Sequence, residues 1–165
     1  MNRTWAKRLG SALAAVAVLA ATAIPLAGAA EVSRDEYVVQ VEPVCKTNVT
    51  ANKRIFKGAK EQVKTGELKK ASTHFFRAAT AFAKTIRQIK GVPQPSADEA
   101  KLTKWLGHLD AEKNLIQKIG KALAADDKHK ASSYSVDLNH NSNLANNTVL
   151  GFGFNYCLID PSRFS

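Results

Sequence analysis

LTKWLGHLDAEKNLIQKIGKAL, residues 102–123, sets Leu102, Trp105, Leu109, Ile116, Ile119 and Leu123 at the spacings of a helix stripe. Strand alternation does not fit the run. Just before it, Val92-Pro93-Gln94-Pro95 makes a stiff connector, and Ser96 with Glu99 has the spacing of a capping box. A helix over 96–125 follows. After it, Asp126 or Asp127 can cap a further helix carrying Ala131, Tyr134, Leu138, Ala145, Val149, Phe152 and Tyr156. Gly151 and Gly153 weaken its end, and Phe152, Phe154, Tyr156 and Leu158 also alternate as a strand would, so both conformations stay open there.

Two more stripes precede the connector. Residues 67–90 place Leu68, Ala71, Phe75, Ala79, Phe82, Ile86 and Ile89 on one face, closed by Gly91 and Pro93. Residues 35–64 do the same with Val38, Val41, Cys45, Val49, Phe56, Ala59 and Val63. Pro43 should kink that helix or start its main segment, and Gly66 should stop it. Long helices joined by short connections favour antiparallel neighbours. The expectation is an all-α, up-down-up-down four-helix bundle forming a single domain over 31–165.

That topology returns the chain's end to the pole where it began, bringing Cys157 level with Cys45, 112 positions away. They are the only cysteines, and an even count in an exported protein favours a disulfide. Export is read from residues 1–30. Arg3, Lys7 and Arg8 precede 22 uncharged residues from Leu9 to Ala30, Pro25 breaks the run, and Ala27-Gly28-Ala29 offers a cleavage site. A membrane anchor is the competing reading, but alanine adds little transfer energy, and Pro25 with Ala27 to Ala29 sits where an anchor would need bulky residues. Leu26-Ala27-Gly28-Ala29 lacks the cysteine a lipid attachment requires. The expected mature chain has 21 basic and 14 acidic residues, a net +7.

Glu42-Pro43-Val44-Cys45, Asn48 with Ala51-Asn52, and the tail from Asn143-Leu144-Ala145-Asn146-Asn147 through Tyr156-Cys157 to Pro161-Ser162-Arg163-Phe164 carry a resemblance. Together with the signal, the chain resembles a set of uncharacterised secreted actinobacterial helical-bundle proteins. The resemblance implies export from a high-GC Gram-positive cell and brings no activity with it.

Signatures of chemistry are missing. The chain has no G-x-S-x-G, no glycine-rich phosphate loop and no H-E-x-x-H. A c-type haem needs Cys-x-x-Cys-His, and a di-iron bundle needs Glu-x-x-His pairs; neither occurs. Nothing pairs His74, His108, His129 and His140 for a haem. A protein with no enzymatic activity, cofactor or metal is the expectation.

Two irregularities remain. Residues 46–90 hold 12 basic and 2 acidic residues, whereas 96–160 hold 7 and 8. Lys53, Lys57, Lys60 and Lys64 follow helical spacing, with Lys69, Lys70, Arg77 and Lys84 beyond them. This predicts a basic side able to meet an anionic wall polymer or a membrane surface. The plainer alternative is a solvated face that serves solubility. Lysine outnumbers arginine and no exposed aromatic is expected among these cations, which argues against sequence-specific nucleic-acid binding. Second, Glu112 lies inside the stripe of residues 102–123, one turn after His108. Counting along each helix sets it near His74 and Asn141. A polar layer at mid-bundle is expected, serving either as a small pocket for a ligand or ion, or as a structural network that fixes register. Asn48 and Asn52 fall on an inward face and are expected to bond with Thr148 or Asn155.

Overall fold

A computed structural model describes residues 31–160; the signal-peptide reading of 1–30 and the tail 161–165 lie outside them. Five α-helices follow one another: α1 Arg34–Ile55, α2 Ala59–Lys64, α3 Leu68–Lys90, α4 Glu99–Ala124 and α5 Lys128–Thr148. Short 3-10 turns occupy Ser96–Asp98 and Leu150–Phe152, and no strand forms among the described residues.

Helix α1 starts at a capping box. The Ser33 hydroxyl accepts from the Glu36 amide, and the Glu36 carboxylate accepts from the Ser33 amide. Pro43 neither starts nor stops the helix, which runs through it with the proline on the exposed side. The single helix expected over 35–64 is instead two. Gly58 adopts φ +85°, a left-handed conformation that glycine takes without steric cost, and the chain restarts there as α2. Gly66 stops α2 as expected: it too is left-handed (φ +79°), and the following Glu67 amide reaches back to the Gln62 carbonyl at 2.7 Å.

The entry to α4 also differs from the capping box expected at Ser96. Asp98 stands immediately before the helix, but its carboxylate takes two bonds from Arg34, both 2.7 Å, instead of capping. The Ser96 hydroxyl turns to Glu31. That doubly bonded pair ties the start of α1 to the start of α4, and the guanidinium holds the Asp98 carboxyl below its ordinary range. At α5 the cap is Asp127, whose Oδ1 accepts from the Lys130 amide at 2.9 Å. This helix ends at Thr148, short of the expected Tyr156. Gly153 (φ +71°) redirects the chain into a segment that is neither helix nor strand.

Residue contacts between successive helices run from the end of one to the start of the next. Asn48 of α1 meets Thr85 near the end of α3, while Ile55 meets His74 near its start. Lys90 of α3 pairs with Asp110 in the first half of α4, and Gly120 in its second half abuts Phe75 and Phe76. A Cβ at Gly120 would stand 3.1 Å from both phenylalanines, so the missing side chain lets α3 and α4 approach. His108 and Glu112 of α4 meet Asn141, and Lys118 lies over the ring of Tyr134.

The core divides in two. One cluster joins Tyr37, Val41, Cys45, Ile89, Trp105, Leu109, Val149, Phe152 and Phe154; the other joins Ile55, Leu68, Phe75, Ile116, Ile119, Leu123, Ala131 and Leu138. On each long helix buried polar residues fall between the two: Asn48 and Asn52 on α1, Thr85 on α3, Glu112 on α4, Asn141 and Ser142 on α5; Ser72 of α3 is buried within the second cluster. Among the described residues no helix is long and apolar enough to cross a membrane.

Candidate functional site

The break at residues 56–58 shapes the side of the molecule that carries the charge. With the helix interrupted, the Ala59 amide turns to the Phe56 carbonyl. The Ile55 carbonyl is taken instead by the Nδ1–H of His74. His74 Nε2 contacts the Gln62 side chain at 3.0 Å, so this one ring fastens both the end of α1 and the body of α2 to α3. Phe56 then lies edge-on against Phe75, with centroids 5.1 Å apart.

α2 packs on α3, leaving a groove between it and the start of α5. Phe56, Ala59 and Val63 form one wall, Phe75, Ile119 and Leu123 the floor, and Ala131, Ser132 and Ser135 the other wall. Its volume is 660 Å³. Around it stand Lys53, Lys57, Lys60 and Lys64, joined from the far wall by Lys128. All five are exposed, and among the described residues none makes an ion pair. Glu61 is the single acid between Lys46 and Gly66. Sequence reading found four of these lysines but not the groove, nor Lys128, which comes from a segment of balanced charge.

The remaining basic candidates stand apart from this edge. Lys70 is paired with Glu67 at 2.7 Å, and Lys69 lies beside it against the turn at Asp126. Arg77 and Lys84, with Arg87, surround a shallow hollow on the outer face of α3. Phe76 lies in that hollow and is 37% exposed. This corrects the expectation that no aromatic is exposed among the cations: Phe76 packs one ring edge over Gly120 and leaves the rest outside.

Glu112 is fully buried, as its place in the stripe implied. Asn141 Nδ2 donates to its Oε2 at 2.6 Å and to the His108 carbonyl at 2.9 Å. His108 joins the layer only through Asn141, its Nδ1 lying 3.3 Å from Asn141 Oδ1. His74 does not join it; the register of α3 on α4 sets the adjacent Phe75 against Gly120, about two turns beyond Glu112. The Ser142 hydroxyl lies 2.6 Å from Glu112 Oε1 and 2.8 Å from the Leu138 carbonyl. A hydroxyl has one proton, and a carbonyl can only accept. That proton goes to Glu112 Oε1, with the Leu138 carbonyl within reach of the same hydroxyl. Burial pushes the Glu112 carboxyl up, against the opposing pull of Ser142 and Asn141. Two donors thus converge on one buried carboxyl, while beside them His108 Nε2 is buried without a hydrogen-bond partner among the described residues. Glu112 lines neither the groove nor the cavity at the opposite pole.

At that pole Cys45 and Cys157 form the disulfide, with Cα atoms 5.0 Å apart. The segment after α5 is held further by Glu42, whose Oε1 accepts from the amides of Asn155, Tyr156 and Cys157 at 3.0–3.2 Å. Asn146 adds a reciprocal pair with Ile159. Asn48 and Asn52 are buried as expected, but their partners differ: Asn48 donates to Thr85 at 2.8 Å, and Asn52 to Asn48 at 2.7 Å. Thr148 turns back to the Leu144 carbonyl, and Asn155 is held by Glu42. No protein-family model, curated protein or solved structure matches this chain.

Proposed function

We propose that this chain is a non-enzymatic, exported protein that docks the basic side of its first half on an anionic surface of the cell envelope, such as phosphate-bearing wall polymer or lipid headgroups. One observation carries the reading: Lys53, Lys57, Lys60, Lys64 and Lys128 are gathered from three parts of the chain onto one edge and left without ion-pair partners among the described residues. Unpaired like charges repel one another, so their collection on one edge costs a little stability and creates a field that reaches about 8 Å at physiological salt. A face serving solubility alone needs no such gathering. The architecture that goes with this reading is an up-down-up-down four-helix bundle whose first helix is broken in two, supported by the end-to-start contacts of α1 with α3, α3 with α4 and α4 with α5. Export is supported by the apolar run of residues 9–30 and is compatible with the disulfide. The polar layer around Glu112 is read as structural, since Asn141 and Ser142 bond its carboxyl and it lines neither the groove nor the opposite cavity. Retention of the protein on phosphocellulose and on anionic vesicles, measured against rising salt, tests the proposal: release at moderate salt is expected, and retention indifferent to salt contradicts it.

A further inference from the structure

We infer that the groove between α2 and α5 holds the acyl chain of a single-chain lipid whose anionic head is met by the lysines around it. This rests on the reading of the lysine edge as anion-facing and gives that edge a ligand class. Three observations support it. The volume, 660 Å³, falls within the roughly 300–1,000 Å³ of small-molecule sites. The floor is made of Phe75, Ile119 and Leu123 from α3 and α4 and offers no charge. The charged groups at the groove are all of one sign and come from both walls, Lys60 and Lys64 on α2 and Lys128 on α5. An apolar floor beneath cations alone is complementary to a molecule with an apolar body and one anionic end. A neutral ligand would leave the lysines unused, and a hydrophilic polyanion would leave the partly exposed apolar wall of Phe56 and Val63 unused. Lysine suits such a head as a mobile point charge on an apolar stem that can itself cover the chain.

The test is calorimetric titration of the purified protein with laurate and lauroyl lysophosphatidate, each below its micelle concentration, beside neutral monolaurin. Saturable binding of one molecule per chain is expected, weakened at least tenfold for monolaurin. From decanoate to laurate to myristate, each added methylene should tighten binding about three- to fourfold until the floor is covered. Ser132→Trp, at an exposed position on the α5 wall, should block the groove and weaken laurate binding at least tenfold while leaving retention on phosphocellulose unchanged. Lys53→Gln with Lys57→Gln, Lys60→Gln and Lys64→Gln should lose both. A preference for laurate or for the lysophosphatidate identifies a carboxylate or a phosphate head. Laurate binding untouched by Ser132→Trp, monolaurin bound as tightly as laurate, no dependence on chain length, or a groove closed by self-association that laurate does not reverse would each overturn the inference. If laurate binds as described but phosphocellulose retention ignores the lysine changes, the lipid site stands and the surface-docking proposal falls.

Discussion

The imidazole of His74 donates from Nδ1 to the carbonyl of Ile55, the acceptor that α1 leaves open where the chain breaks before Gly58. Through its other nitrogen the same ring reaches Gln62. The position of α2, and with it one wall of the groove, therefore depends on a residue of α3.

His74→Ala should leave the Ile55 carbonyl half-buried without its partner, at a cost of about 1–3 kcal/mol. The loss should be local in character. Hydrogen exchange of the amides from 59 to 65 should quicken well before those of α4, and urea unfolding should report the lowered stability. Unchanged exchange in α2 would mean that its packing on α3 suffices without the ring.

Glu112 and Asp98 should act on stability with opposite signs as pH changes. The folded Glu112 carboxyl lies above its ordinary value of 4.5, so its contribution is whole below pH 4.5 and is lost as pH rises towards the folded value. Asp98 lies below its ordinary value of 3.8, so its contribution is present above that value and lost as pH falls through the folded one. Glu112→Gln gives Ser142 a donor and keeps an acceptor for Asn141, and nothing then has to be protonated. Melting curves should show this variant within about 1 kcal/mol of the parent near pH 4 and equal or more stable at pH 7. A variant clearly less stable than the parent at pH 7 would argue for a carboxylate that is ionised and needed.

Reduction of Cys45–Cys157 removes a link across 112 positions, for which chain entropy sets an upper value of about 4–5 kcal/mol. The segment from Gly153 to Asp160 should loosen first, because it has no helical hydrogen bonds of its own and, beside the burial of Phe154, is tied by Glu42 and Asn146. Glu42→Ala should therefore cost about 1–2 kcal/mol in the oxidised protein and make the reduced protein unfold at distinctly lower urea. Trp105, stacked on Phe154 at 5.4 Å, offers the fluorescence signal for following it.

What the sequence made legible was local or periodic. The stripe of residues 102–123 marked α4 and also exposed Glu112 as the polar residue out of place in it. The disulfide followed from having two cysteines and a chain that returns on itself. The break at Gly58 was hidden because a glycine inside a helix costs only about 1 kcal/mol, and Lys53, Lys57, Lys60 and Lys64 keep helical spacing straight across it. Equal counts from the connector at 91–95 set His74 level with Glu112, but the register of α3 on α4 puts the adjacent Phe75 against Gly120, about two turns further on. Ser96 had the spacing of a cap, yet Asp98, which stands where the cap should be, was already committed to Arg34 from a distant helix. Glu42 and Lys128 belong to the same class: what each does depends on a partner more than fifty residues away, and no local pattern records it.

Charge reversal decides whether the lysine edge is the surface that docks. Lys53→Glu, Lys57→Glu, Lys60→Glu and Lys64→Glu should together leave the helical circular-dichroism spectrum intact, since all four side chains are exposed and make no ion pair among the described residues. Co-sedimentation of parent and variant with anionic vesicles, at low salt and again at physiological salt, is the measurement. The parent should sediment with the vesicles and be released as salt rises, while the reversed variant stays in solution throughout; a variant that sediments as well as the parent would rule the lysine edge out.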